Sequence, residues 1–542
     1  MKRYKKICLL IFIHLLILGS SFFFLRNVSA ESKGEKEIPF QGGIYRKPLE
    51  FNPKTLDPAL SIDKYAVTII QQVFDGLVQF DKDLNIIPAI AKSWKISQDG
   101  LTYTFSLKEG VKFHHGREVD ANDFVYSFTR ILNPETKSSS FNFFTRIVGA
   151  KEFIDKKAKE VKGITALDRY TLKIVLAEPY APFISILAMK GAKVVPKEEI
   201  ERLGKNFGKS PVGTGPFKFV SMKEGEEIIL EANPNYFEGR PYLDKIIFKI
   251  FHGSPREEIF RQFKERELED SPIPFKDVEE VVKSKQYIFV QKPILSLRFY
   301  GLNTQIEPLR LTKVRRAINF AVPKEEVGKD ILKGNALLTD RIIPLGMPGY
   351  TPGKVSFGYQ PKKAKELLWE SGYPEGKGIP PIEFWSAAKS ELAVRELEMV
   401  KSYLSQIGIA LNIQYETQWP KFQELLSSRK TPMFMYAWYA DFPDPDNFLG
   451  TLFHSKSNYN YTAYHNPEVD RLLERARAER DYLRRMEMYR KIEEIVLEDA
   501  PIVPMVNHIL QMIYQPYVRG AEVSALGEPY IPMKKIWLKK GQ

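Results

Sequence analysis

The chain has 542 residues, 44% of them hydrophobic and 13% aromatic, with a formal net charge of +13. That length buries large cores and favours more than one domain. The single cysteine, Cys8, excludes a disulfide framework, and the five Lys/Arg of residues 1–30 leave +8 for the remainder, a mild basic bias and no nucleic-acid footprint.

In chain order, residues 1–30 come first. MKRYKK is a basic n-region, ICLLIFIHLLIL an apolar h-region, and Val28-Ser29-Ala30 a small-x-small site. The pattern predicts a signal peptide cut before Glu31. The alternative is an uncleaved membrane anchor, because the apolar stretch 7–25 is about long enough to span a bilayer. Either way the body of the chain is exported, and cleavage also removes the only thiol.

Strands are predicted at 101–107 (LTYTFSL, after Asp99-Gly100) and 170–176 (YTLKIVL, after Asp168-Arg169), where apolar and polar residues alternate. PKKAKELLWESG (361–372) reads as a helix with proline in its first turn and glycine at its end. A second helix covers 391–407, closed by Gly408 and followed by the strand ALNIQY. Asn466 caps and Pro467 starts a further helix, whose apolar positions 469, 472, 473, 476, 483, 486 and 489 keep helical spacing until Pro501 stops it. This alternation argues for α/β layers with mixed sheets. No internal repeat points to a solenoid or propeller.

Enzyme motifs fail on inspection. GTGPFK (213–218) starts like a dinucleotide fingerprint but lacks the third glycine and has Pro216 where a helix should begin. GYPEGKG (372–378) is too short for a phosphate loop, and neither GxSxG nor HExxH occurs. His114 and His115 are adjacent and point apart, so no metal is expected there. The run from Asp444 has Leu449 and Ser455 where a calcium loop needs glycine and glutamate.

One stretch, YAWYADFPDPDNF (436–448), sets Asp441, Asp444 and Asp446 among aromatic rings. Three readings are open for it: a metal site, a catalytic acid pair, or a clamp for a cation. Residues three apart across prolines have no enforced geometry for acid–base work. The DPD pair, between prolines and before Asn447, suits turn and helix-cap roles.

The run IPAIAKSWKISQDGLTYTFSLKEGVKFHHGREVDANDFVYSFTRILNP (87–134) resembles the signature region of the extracytoplasmic peptide/nickel-family solute-binding proteins of ABC importers. In the same order follow or precede TLDPAL (55–60), FDGLVQFD (74–81), PVGTGPFKF (211–219), KVRRAINFAV (313–322), PKKAKELLWESGYPEGKG (361–378), WYADFPDPDNF (438–448) and APIVP (500–504). The likeness spans nearly all of the chain beyond residue 30 and is closest to the oligopeptide-binding members.

The resemblance implies a two-lobed periplasmic-binding-protein fold of class II, in its three-domain peptide-binding form, with mixed sheets and a two-strand hinge. Residues 31–75, 200–292 and 510–542 would form the first lobe, 76–199 an inserted small domain, and 293–509 the second lobe. Its implied function is to bind oligopeptides between the lobes and deliver them to an ABC permease, as an exported monomer without cofactor or catalysis. A nickel chelate or haem as ligand, and an exported hydrolase, are the alternatives.

For site residues the resemblance carries over by position. Trp438 and Asp441 match the W-x-x-D motif in which the aspartate takes the peptide's α-ammonium. Trp419, 19 residues earlier, matches a ring that walls the side-chain pockets. Tyr439 shares the loop, and Phe141 lies in the aromatic run SSSFNFF (138–144) that approaches ligand in family members. Met435 stands where an arginine can serve the peptide's C-terminus, and Arg429, with Lys430, is the nearby substitute. Pro323 also departs from the family pattern, replacing an acid after the helix of KVRRAINFAV.

Overall fold

A strand of 13 residues, Ile502–Tyr514, runs through the middle of the molecule. In this computed structural model, which describes residues 37–253, 255–352 and 357–540, its first half pairs with Ser296–Leu302 and Ala336–Leu338. Its second half pairs with Ile288–Pro293 and Asp270–Pro272. The expected signal peptide lies outside the described residues.

The eight-stranded sheet built on this strand continues through Met433–Tyr439, Ile382–Ser386 and Leu411–Tyr415. One apolar layer holds Tyr300, Leu302, Met433 and Met435, and the other holds Leu297, Phe299, Phe434 and Tyr436. Adjacent residues thus feed opposite layers, as pleating demands. A separate core gathers Tyr45, Phe74, Phe217, Phe248 and Tyr514 around the four-stranded sheet that includes Ile44–Leu49 and Lys245–Ile250. The chain therefore passes between two lobes along two neighbouring strands, the class II arrangement with its two-strand hinge.

The strands expected at 101–107 and 170–176 are Thr102–Leu107 and Thr171–Val175, paired antiparallel in a four-stranded sheet. Tyr103, Phe105 and Leu107 bury one face of the first, as the alternation requires. The helices at Pro361–Glu370 and Glu391–Ser405 also form, and Gly408 adopts φ +87 beyond the second. The single helix expected from Pro467 is two, Pro467–Ala478 and Tyr482–Asp499. Glu479 turns extended, and Asp481 caps the second helix by accepting the Arg484 N–H at 2.9 Å. Val469, Leu472, Leu473 and Ala476 are buried, as are Met486 and Tyr489, but Leu483, counted in the same stripe, is 72% exposed in the first turn of the second helix.

In GTGPFK the glycines serve packing. A Cβ on Gly213 or Gly215 would fall within 2.4 Å of backbone oxygens at Val73 and Gln72. Thr214 between them donates to Asp75 at 3.1 Å.

The lobes meet through the loop after Met433–Tyr439. Phe442 is 1% exposed and sits in an apolar core otherwise built from residues 77–194, with the Phe143 ring 5.9 Å away and edge-on. Asp446 accepts from Arg477 Nε at 2.7 Å and, across the lobe boundary, from the Tyr180 hydroxyl at 2.8 Å. Asp444 accepts from Arg485 Nη1 at 2.6 Å. These charges are buried, and removing one partner strands the other. Asp446→Ala should therefore lower stability by about 3–5 kcal/mol in urea unfolding, with Tyr180→Phe costing about 1 kcal/mol.

Candidate ligand-binding site

Asp441 lies just past the end of Met433–Tyr439, where the strand gives way to the loop. Its backbone N–H donates to Asn447 Oδ1 at 2.9 Å, and the Trp438 indole N–H reaches the same oxygen at 3.3 Å. Asn447, 1% exposed in the helix Asp446–Phe453, thus anchors both. The Asp441 carboxylate itself gets little in return: Asn447 Nδ2 donates to Oδ2 at a long 3.4 Å.

Burial pushes the Asp441 carboxyl above the usual carboxylate value, with the Asn447 bond and the charge of Lys190 opposing. Lys190 comes from a distant chain segment. Its ammonium donates to the Ser61 carbonyl at 2.6 Å, and burial lowers its pKa despite the nearby Asp441 and Asp63. Tyr436, Tyr459 and Tyr530 each have the phenol pushed up, chiefly by burial, with the Asp441 charge adding to it. Asp441 is therefore an acid in an aromatic chamber without a direct cationic partner among the described residues. Such a group is costly to ionise unless a cation arrives.

The aromatic wall is continuous. Trp438 sits 5.2 Å from Tyr459, Tyr459 6.2 Å from Tyr461, and Tyr461 5.4 Å from Tyr436. Trp419, 47% exposed at the start of the helix Trp419–Ser427, stacks on Tyr436 at 5.9 Å and 17°. The chamber can hold a cation at one end and offer ring faces along its length.

Residues 85–460 match the family model described as bacterial extracellular solute-binding proteins, family 5, middle region. The chain belongs to this family. The dipeptide-binding protein of Escherichia coli K12 is 29% identical over 508 residues, covering 89% of this chain and 91% of that protein. Heme-binding protein A of Haemophilus influenzae is 29% identical over 528 residues, covering 92% and 93%. Among solved structures, the ABC transporter-associated periplasmic binding protein DppA of Helicobacter pylori, in complex with the peptide STSA, is similar at a TM-score of 0.77. It is 29% identical and covers 92% of this chain and 99% of that one.

In this solute-binding protein the sequence-derived residues divide. Asp441, Trp438 and Trp419 come together in the chamber. Tyr439 does not: it pairs with Ser296 on the opposite face of the strand and stacks on His508 at 5.2 Å. Arg429 precedes the strand whose far end carries Asp441, and its guanidinium donates to the Ser457 carbonyl at 2.9 Å. Phe141 is half-buried, and the ring that meets the loop is its neighbour Phe143. Asp444 and Asp446 face arginines and not the chamber. His114 and His115 go separate ways, to the Gly215 carbonyl and to Glu198.

Lys190, Asn447, Tyr459 and Tyr530 escaped the sequence reading. Asn447 alone had a local signal, in the DPDN run. The others reach Asp441 from distant chain segments.

The sign of the pH effect follows from burial. The folded-state pKa of Asp441 is raised, so its contribution favours folding most below the ordinary value and is lost as pH rises through the folded value. Asp441→Asn should therefore raise the Tm of the ligand-free protein at pH 7, and the gain should shrink on acidification. Thermal unfolding from pH 7 down to about 4 checks this.

Proposed function

We propose that this family 5 solute-binding protein captures oligopeptides between its lobes, with the peptide's α-ammonium on Asp441, and delivers them to the permease of an ABC importer. The observation that carries the reading is the half-buried Asp441 carboxylate, set beside tyrosines and tryptophans with one long side-chain hydrogen bond. An ammonium supplies charge-assisted bonds that nothing else in the chamber offers. The ring faces of Trp438, Tyr459, Tyr436 and Trp419 give apolar contact that tolerates many side chains, while an extended peptide bonds through its main chain.

The similarity to the dipeptide-binding protein and to the peptide complex from Helicobacter pylori supports peptide as the ligand class. The similarity to heme-binding protein A favours haem as the second reading. The remaining roles belong to the proposal too: export through the N-terminal segment, action as a monomer without catalysis, and residues 293–509 as the closing lobe. Among the described residues no helix is long and apolar enough to cross a membrane.

Native mass spectrometry of the purified protein separates the readings: retained peptides support the first, and a haem adduct overturns it. By calorimetry, Asp441→Ala should lose about 3–5 kcal/mol of affinity for trialanine. N-acetyl-trialanine, which has no ammonium, should bind the unmodified protein equally poorly. Affinity for trialanine should also fall on acidification at a pH above the ordinary carboxylate value, because the raised carboxyl protonates early.

A further inference from the structure

A cavity of about 240 Å³ lies away from the strands that carry Asp441. Its walls come from residues 71–88, 188–238 and 522–535, and Tyr530 is the one wall residue that also feels the Asp441 charge. Most charges around it are already neutralised. Lys534 pairs with Glu238 at 2.5 Å and Lys535 with Glu522 at 2.7 Å. Lys82 pairs with Asp83, and Asp81 is tied into its own loop by Asn85.

Lys193 and Asp75 remain. Lys193 is 4% exposed, and its ammonium has no hydrogen bond or ion pair to any described residue. Asp75 is 6% exposed, and its two oxygens accept from the hydroxyls of Tyr236 and Thr214, each at 3.1 Å. The two unlike charges line the same cavity and influence each other's titration without touching. Burial moves both toward neutrality, raising Asp75 and lowering Lys193 to about 8.

A buried ammonium without a hydrogen-bond partner is unfavourable, and Asp75 is hydrogen-bonded only to neutral hydroxyls, with the Lys534 and Lys193 charges acting on it from a distance. A molecule bearing an anion at one end and a cation at the other relieves both at once. The space is below the roughly 300–1,000 Å³ of ordinary small-molecule sites, which suits a single amino acid better than a peptide.

We propose that this cavity binds a small zwitterion of the amino-acid class, its carboxylate on Lys193 and its ammonium on Asp75, separately from the chamber at Asp441. The charge pattern selects the ligand class, since a simple anion would satisfy Lys193 and leave Asp75 unmatched. The site stands independently of whether Asp441 holds peptide.

The test is calorimetry on the full exported chain with L-alanine as probe, and with acetate and methylammonium as singly charged controls. L-alanine should bind, and Lys193→Met should weaken it roughly 10- to 100-fold, the loss of one charge-assisted bond. Asp75→Asn should weaken it in the same direction. Lys193→Met should leave trialanine binding unchanged, and Asp441→Ala should leave L-alanine binding unchanged. The proposal is overturned if L-alanine does not bind, if Lys193→Met binds it normally, if acetate binds as well as L-alanine, or if Asp441→Ala abolishes L-alanine binding. Binding of L-alanine together with failure of trialanine would sink the peptide reading and leave this site intact.

Discussion

The strand Ile502–Tyr514 is the constraint on which the rest of the molecule depends. It is paired along nearly its whole length, to Ser296–Leu302 and Ala336–Leu338 at one end and to Ile288–Pro293 and Asp270–Pro272 at the other. Backbone N–H and C=O groups buried inside a sheet must be paired, so the strand cannot leave one lobe without breaking its ladder. The sheets on either side are consequently built outward from one shared strand.

The loop after Met433–Tyr439 shows how such a frame is used. Asp444 and Asp446 are satisfied by Arg485, Arg477 and Tyr180, and these bonds hold the loop against both the helices behind it and the facing lobe. Phe442 fills a place in the apolar core otherwise built from residues 77–194. With the loop fixed at those points, Asn447 can hold Asp441 by its backbone N–H while leaving the carboxylate poorly bonded. The strongly paired acids position the weakly paired one. The same contrast recurs at Asp75 and Lys193, whose neighbours Lys534 and Lys535 are paired while they are not in contact. At Asp75 and Lys193 the charges line a cavity, and an unpaired buried charge is costly unless something else completes it.

Much of this was legible in the chain. The strands at 101–107 and 170–176 announced themselves by alternation, and the helices at 361–372 and 391–407 by proline, glycine and spacing. The helix from Pro467 was legible in most of its apolar stripe but not in its break, where Asp481 caps a second helix and Leu483 turns out to solvent. The resemblance singled out Asp441 through its W-x-x-D motif, while the prolines around Asp444 and Asp446 pointed those two to turn and cap roles.

By itself the sequence determined the α/β layering, from periodicity and capping along short segments, and through its resemblance to the family it implied the fold and the candidacy of Asp441, Trp438 and Trp419. Only the tertiary structure decided the rest. It turned Tyr439 to the other face of its strand, left Arg429 at the far end of that strand, and brought Lys190, Tyr459 and Tyr530 to Asp441. It also set Lys193 opposite Asp75, 118 positions apart in the sequence. Periodicity and capping are short-range properties of the backbone, whereas the electrostatic environment of a buried carboxylate is the sum over every segment that folding carries to it.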